Sequence, residues 1–325
     1  MRKCFLLPFL IFLFLMQGVL PAEASVSAEE GKRLRQLLQG RIAAAPFCTM
    51  ALDAEGNVLF AGRDDPHEEG SVRFHLPIRQ IALGSSWRAF LLENGEVKTP
   101  GERAEDLFAD YDPEDIVMIT SNNAGLFAVQ KDGSVQCLLS VGNSTQYKKI
   151  IQWKDMISLS SARTHVLGLR RDGTVVSEAN ISSNKIANGV AKWTDIAQIS
   201  AGPYSAIGIR KDGTVVACGL YVSLKPDAAQ QPQEEEFDFI GWQEEDIVQV
   251  IAGENFFAGL RRDGTVCIGG WQEGYGSLHQ VVGWEDIVYI SGNHDHIVGV
   301  KKDGTTVSWG NNDNGQRILD HWKLF

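Results

Sequence analysis

Several groups of residues in this chain are of types that do chemistry. His294-Asp295-His296 places two imidazoles and a carboxylate within three residues, side chains that ligate zinc and similar metals. On a strand the two histidines would share a face, which permits chelation. No third ligand stands at a recognisable spacing, so no metal is expected. Asn311-Asn312-Asp313-Asn314-Gly315 is rich in oxygen donors but lacks the bidentate Glu that completes an EF-hand loop. The 41 Asp and Glu residues make carboxylate pairs of the kind used in glycoside hydrolysis unavoidable, and therefore uninformative. The chain has no G-x-S-x-G elbow, no phosphate-cradling glycine loop and no H-E-x-x-H helix. No catalytic residue and no cofactor is expected.

A different chemistry, molecular recognition, is open to four aromatic residues. Trp271 and Tyr275 stand among glycines, with His279 close behind, and Tyr221 and Tyr147 lie in related segments. Aromatic side chains are favoured anchors of protein interfaces. Trp271, Tyr275, Tyr221 and Tyr147 are the candidate partner-binding residues, against the simpler fate of packing on neighbouring elements.

What positions these residues is a hairpin that recurs seven times. Its turns are Glu55-Gly56, Asn94-Gly95, Asp132-Gly133, Asp172-Gly173, Asp212-Gly213, Asp263-Gly264 and Asp303-Gly304, spaced 39, 38, 40, 40, 51 and 40 residues apart. Asp-Gly between alternating apolar residues signals a type I′ turn, with φ > 0 at both central positions. Thirteen residues before each turn stands Ile42, Ile81, Ile119, Leu159, Ile199, Val250 or Ile290. Three before it stands Leu52, Leu91, Val129, Leu169, Ile209, Leu260 or Val300. Three after it come valines from Val58 to Val266, with Thr306 the polar exception. A period near 40 with several short strands per unit predicts a β-propeller of seven blades.

A second signature leads into most hairpins: Trp153-Lys154-Asp155-Met156, Trp193-Thr194-Asp195-Ile196, Trp284-Glu285-Asp286-Ile287, and a longer form from Trp242 to Ile247. Repeated once per unit, it is structural, with Trp covering a seam and Asp capping a turn. The chain ends on Trp322-Lys323-Leu324-Phe325, a Trp signature with nothing after it, while Arg41-Ile42 begins the first hairpin. The C-terminus is therefore expected to meet the first repeat and close the ring, removing exposed sheet edges. The segments between third strands and the next Trp vary most; the longest, Gly219–Ile240, exceeds the period by eleven residues. Such loops are where function is carried.

The rest of the chain bounds the setting. Residues 1–24 read as a signal peptide, with Arg2 and Lys3, an apolar run from Phe5 to Leu20, and Ala22-Glu23-Ala24 before Ser25. A retained anchor is the rival reading, although the run is short for a span. Residues 25–40 form a helix or arm, with Ser27 and Glu30 as a capping box and Leu34, Leu37, Leu38 and Ile42 on one face. The propeller takes 41–325. Cleavage moves the formal charge from −11 to −12, with 28 basic and 40 acidic residues left. Such a chain lacks the basic footprint of a nucleic-acid binder. Cys48, Cys137, Cys218 and Cys267 share no repeat position and read as small buried hydrophobes.

The unit from Asp195, D-I-A-Q-I-S-A-G-P-Y-S-A-I-G-I-R-K-D-G-T-V-V-A-C-G, and the closing W-G-N-N-D-N-G-Q of Trp309–Gln316 resemble repeats of the regulator-of-chromosome-condensation (RCC1) family. The resemblance runs from about Ile42 to the C-terminus and implies seven four-stranded blades. The exported, acidic form looks like the family's bacterial secreted branch, which includes a β-lactamase-inhibiting propeller. The family's repeat histidine is kept at His165 and His296 and replaced by Cys48, Trp87, Gly125, Ser205 and Phe256 elsewhere. No segment matches the loop that eukaryotic relatives use on Ran. The expectation is a secreted, monomeric, non-enzymatic all-β propeller that binds a protein or envelope polymer through face loops. The alternative is a lyase or glycan hydrolase with carboxylates and His at the central channel.

Overall fold

The computed structural model describes residues 27–63, 76–84, 88–100, 112–140, 145–163, 165–179, 185–219, 246–254, 256–270 and 279–325. They form seven antiparallel sheets of three strands, each in chain order with the second strand in the middle. The sheets cover 42–62, 78–98, 116–140, 156–179, 196–219, 247–270 and 287–310, one per predicted hairpin, and are numbered 1 to 7 below. The three aliphatic columns are strand positions: Ile199, Ile209 and Val215 lie on the successive strands of sheet 5, all buried.

Helix α1 (Ala28–Leu38) precedes sheet 1, its first turn capped by the Ser27 side chain accepting from Glu30 N at 3.1 Å. Leu34 and Leu38 pack inward, whereas Leu37, expected on the same face, is 44% exposed. Four strands per blade are expected and the described residues show three. After the third strands of sheets 3, 4 and 6 the next described elements are helices, α2 (Thr145–Ile150), α3 (Lys185–Val190) and α4 (His279–Val282), whereas sheet 7 is followed by the turns of residues 311–325. Ile150, Ile186, Val190 and Val281 are buried between one sheet and the next. A short helix fills that gap while satisfying its own backbone, so no further ladder is needed there.

The turns differ from the type I′ expectation. Gly133 N donates to Gln130 O at 2.9 Å, so Lys131 and Asp132 are the central residues and Gly133 follows them. Only the glycine has positive φ, at 83°. This is a turn closed by a left-handed glycine bulge, the commonest three-residue hairpin, and Asp-Gly fits either geometry. The aspartate side chain braces the turn from outside the backbone. Asp132 Oδ1 accepts from Ser134 N at 2.7 Å, and Asp172, Asp212, Asp263 and Asp303 accept likewise from Thr174, Thr214, Thr265 and Thr305. In sheet 1, where Glu55 stands, Asp53 accepts from Asn57 N instead.

The core is divided among the seams. Seven clusters of buried side chains each span two sheets, and one of them joins Val288, Val298 and Val300 of sheet 7 to Ile42 and Ala51 of sheet 1, with Trp322 and Leu324 between. Leu324 N donates to Gly304 O at 2.9 Å, the bond that Met156 N makes to Gly133 O and Ile196 N to Gly173 O. The Trp of the signature lies against a glycine of the following hairpin: a Cβ on Gly168 would meet the Trp153 ring at 2.9 Å, and one on Gly299 the Trp284 ring at 3.0 Å. Polar side chains also cross the seams. Gln249 clasps the backbone of Ile290, accepting from its N–H at 3.0 Å and donating to its carbonyl at 2.7 Å, and Gln80 treats Ile119 the same way. The carboxamide thus stands in for a ladder that neighbouring sheets cannot make.

Candidate functional site

Each first strand turns into its second at one end of its sheet, and each third strand finishes at that same end. Arg63 N, just past sheet 1, donates to Phe47 O, and Asn311 N, just past sheet 7, to Asp295 O. The segments that follow the third strands therefore begin beside these loops. Those carrying Trp271, Tyr275 and Tyr221 lie outside the described residues. Tyr147 is in α2, half buried, packed on the cluster of Val129, Ile150 and Met156, with Lys148 Nζ 6.0 Å from its ring centre.

At this end Pro46, Gly84, Asn122, Arg163 and His294, from sheets 1, 2, 3, 4 and 7, line one small, partly open depression. Residues as far apart in sequence as Pro46 and His294 meet there because the first strands of different sheets converge. His294 holds an unusual backbone, with φ at 59°. Asn293 pairs with His296, so His294 and Asp295 form a two-residue loop whose first position normally takes glycine. A bulky residue persists in that conformation only where its surroundings enforce it, and such positions concentrate at functional sites.

Those surroundings are ionic. His294 Nδ1 lies 3.3 Å from Glu254 Oε2 of the neighbouring sheet-6 loop and 3.6 Å from Asp295 Oδ2, and its carbonyl accepts from Glu254 N. Burial opposes ionisation of Asp295, but His294 and His296 on either side hold its carboxyl below the usual range. His296 is fully buried. Its Nε2 is 2.8 Å from Thr49 Oγ1, which itself donates to Gln316 O at 2.9 Å. Having given its one proton to Gln316, the threonine accepts from His296 Nε2. One hydroxyl thereby ties sheet 7, sheet 1 and the C-terminal segment.

His294 and His296, expected to share one strand face, do not. His294 sits in a left-handed loop facing Glu254, and His296 points into the seam. Among the described residues no three His, Cys, Asp or Glu side chains are grouped to hold a metal. Burial pushes the Cys137 and Cys218 thiols up to about 12, far from the reactive range. What the loops do assemble is an imidazole flanked by two carboxylates beside a donor-rich depression. Only its His-Asp-His tripeptide stands out in sequence; Glu254 and Arg163 carry no local signal.

The architecture defines a class, the β-propellers. The CRINKLY WD40 ectodomain of the Arabidopsis thaliana receptor kinase ACR4 superposes with a TM-score of 0.66 at 15% identity, over 88% of this chain and 98% of that one. The ectodomain of the Physcomitrella patens receptor kinase CR4 gives 0.59 at 15% identity, over 83% and 73%. Prp20p from Saccharomyces cerevisiae, the yeast RCC1, gives 0.50 at 17% identity over 87% and 74%, and is a protein described with its binding to Gsp1p and histones. No protein-family model and no curated protein matches the chain. Within the described residues no helix is long and apolar enough to cross a membrane.

Proposed function

We propose that this chain is a secreted, non-enzymatic propeller of the RCC1-like kind, closed by its C-terminus into a ring, that binds a protein partner through the loops at one end. The observation that carries this reading is the placement of difference. Everything that repeats is scaffold, while the segments that vary, including those of Trp271, Tyr275 and Tyr221, all start at the end where the sheets converge on a depression. The joints of Thr49, Trp322 and Leu324 support ring closure. Residues 1–24 support export, and the acidic charge speaks against nucleic acid. Prp20p offers a precedent for a propeller that captures proteins, without indicating which partner this chain takes.

Replacing Trp271 and Tyr275 together by Ala should weaken capture of a partner from the producing cells' medium at least tenfold while moving the melting temperature by less than about 3 °C. Equal capture by both forms, or a large drop in stability, would refute the role given to these residues. N-terminal sequencing of protein from the medium should begin at Ser25. The enzymatic alternative has one specific observation in its favour, His294 between Glu254 and Asp295 at the mouth of the depression. Turnover of cell-wall glycan by chelator-treated protein, abolished by His294→Ala, would establish it over the binding reading.

A further inference from the structure

We propose that Met118 is an oxidation site, at which a peroxide converts the thioether into a sulfoxide that strengthens the clasp between sheets 3 and 4. Gln80, Gln198 and Gln249 each stand one residue before the aliphatic column of a first strand. Through Oε1 they accept the N–H of the aligned residue in the next sheet, Ile119 at 2.9 Å, Val250 at 3.2 Å and Ile290 at 3.0 Å. Met118 holds this place in sheet 3, and its Sδ accepts the N–H of Leu159 in sheet 4 at 3.3 Å. A thioether is a weak acceptor. This seam therefore has the position and reach of the clasp without its oxygen.

Accessibility selects the residue. Among the described methionines, Met50 and Met156 are 0% and 1% exposed, whereas Met118 is half-buried next to Val117, which is 43% exposed. A peroxide in solution reaches Met118 first. The sulfur lone pair attacks a peroxide oxygen, the S–O bond forms as the O–O bond breaks, and with hydrogen peroxide the leaving group departs as water. Sulfur is oxidised and the peroxide reduced. The product has the outline of glutamine: its oxygen is bonded to Sδ as Oε1 is bonded to Cδ, and its methyl stands where the amide nitrogen would. The flexible methionine stem lets the sulfur draw back by the length of the new bond. Oxidation of a methionine usually disrupts packing by placing a polar oxygen among apolar groups, but here a backbone donor already faces the sulfur. The sulfoxide supplies only the accepting half of the clasp, since it has no N–H for the Leu159 carbonyl.

The test is graded exposure of the folded full chain to hydrogen peroxide, with each methionine followed by peptide mass spectrometry and stability by urea unfolding. Met118 should be fully oxidised while Met50 and Met156 stay reduced. The urea midpoint should then rise by about 0.3 M, the scale of one added hydrogen bond. Met118→Gln should raise the midpoint to a similar extent without peroxide. Met118→Leu, which keeps the bulk and removes the acceptor, should lower it and abolish the response to peroxide. Oxidation of Met50 or Met156 as fast as Met118, or a midpoint that is unchanged or lower once Met118 is oxidised, would overturn the assignment. So would a Met118→Gln midpoint no higher than that of Met118→Leu, or a peroxide response that survives in Met118→Leu.

Discussion

His165 and His296 stand at the same register of their hairpins, both fully buried, and they behave differently because their neighbours differ. His296 meets Thr49 across the seam, whereas the equivalent position of the sheet that follows His165 is Ala206, which has no hydroxyl to offer. Burial pushes the His165 pKa down to about 4 from 6.5, against a smaller opposing hydrogen bond with the Ser205 backbone. The folded protein then binds this proton less well than the unfolded chain does. The contribution of His165 is thus complete above about pH 6.5 and is lost as the pH falls toward 4. Urea midpoints across that window should decline, and His165→Phe, which installs the residue the sixth repeat carries at Phe256, should flatten the decline. Thr49→Val keeps the shape but strands His296 Nε2 and the Gln316 carbonyl. It should cost about 1–3 kcal/mol, read as a lower urea midpoint at unchanged slope. At this scale the sequence displays residue types without partners. Thr49 and His296 are 247 residues apart, and nothing local to either announces the other.

At the scale of elements the repeat columns place all seven hairpins, because burial of alternate aliphatic side chains is a local, periodic demand. The turn geometry is not legible in the same way, because Asp-Gly serves both a type I′ turn and a glycine bulge. What decides is the Asp carboxylate accepting the N–H two residues on, which the dipeptide does not reveal. The glutamine clasps are hidden for a further reason. Gln80, Gln198 and Gln249 look like the polar half of a strand alternation, yet Gln249 is only 6% exposed. Gln249→Met should leave the buried N–H and carbonyl of Ile290 without partners and cost about 2–4 kcal/mol. Gln198→Met, which breaks a single contact of 3.2 Å to Val250 N, should cost about half as much. Chemical denaturation of the two variants side by side checks the ranking.

For the whole molecule, the decisive seam is the one between sheets 7 and 1. Trp322 and Leu324 are 2% and 1% exposed and fill it together with Leu38, Ile42 and Val300. Deleting residues 322–325 removes a buried indole and its aliphatic neighbour, each worth several kcal/mol, from a fold whose total stability is of the order of 5–15 kcal/mol. The expected outcome is loss of the single cooperative calorimetric transition. An unchanged transition would show that the seam contributes little. The terminal Trp signature makes this joint legible in the sequence, since it lacks a hairpin of its own. The candidate site is less so, because Pro46, Asn122, Arg163 and His294 come from different repeats and gain meaning only when the sheets bring them together.

That seam also has a consequence in time. Ile42 is made near the start of synthesis and Trp322 near its end, and at about 5–20 residues per second roughly a quarter of a minute to a minute separates them. Over most of that interval the outer face of the first sheet has only Leu34 and Leu38 of α1 against it and awaits Val288, Val298 and Val300 of sheet 7, while each later sheet gains its neighbour soon after it emerges. The growing chain therefore carries an apolar edge that is completed only when sheet 7 and the last residues arrive, so a ribosome that stalls late should release aggregating protein rather than a shorter folded one.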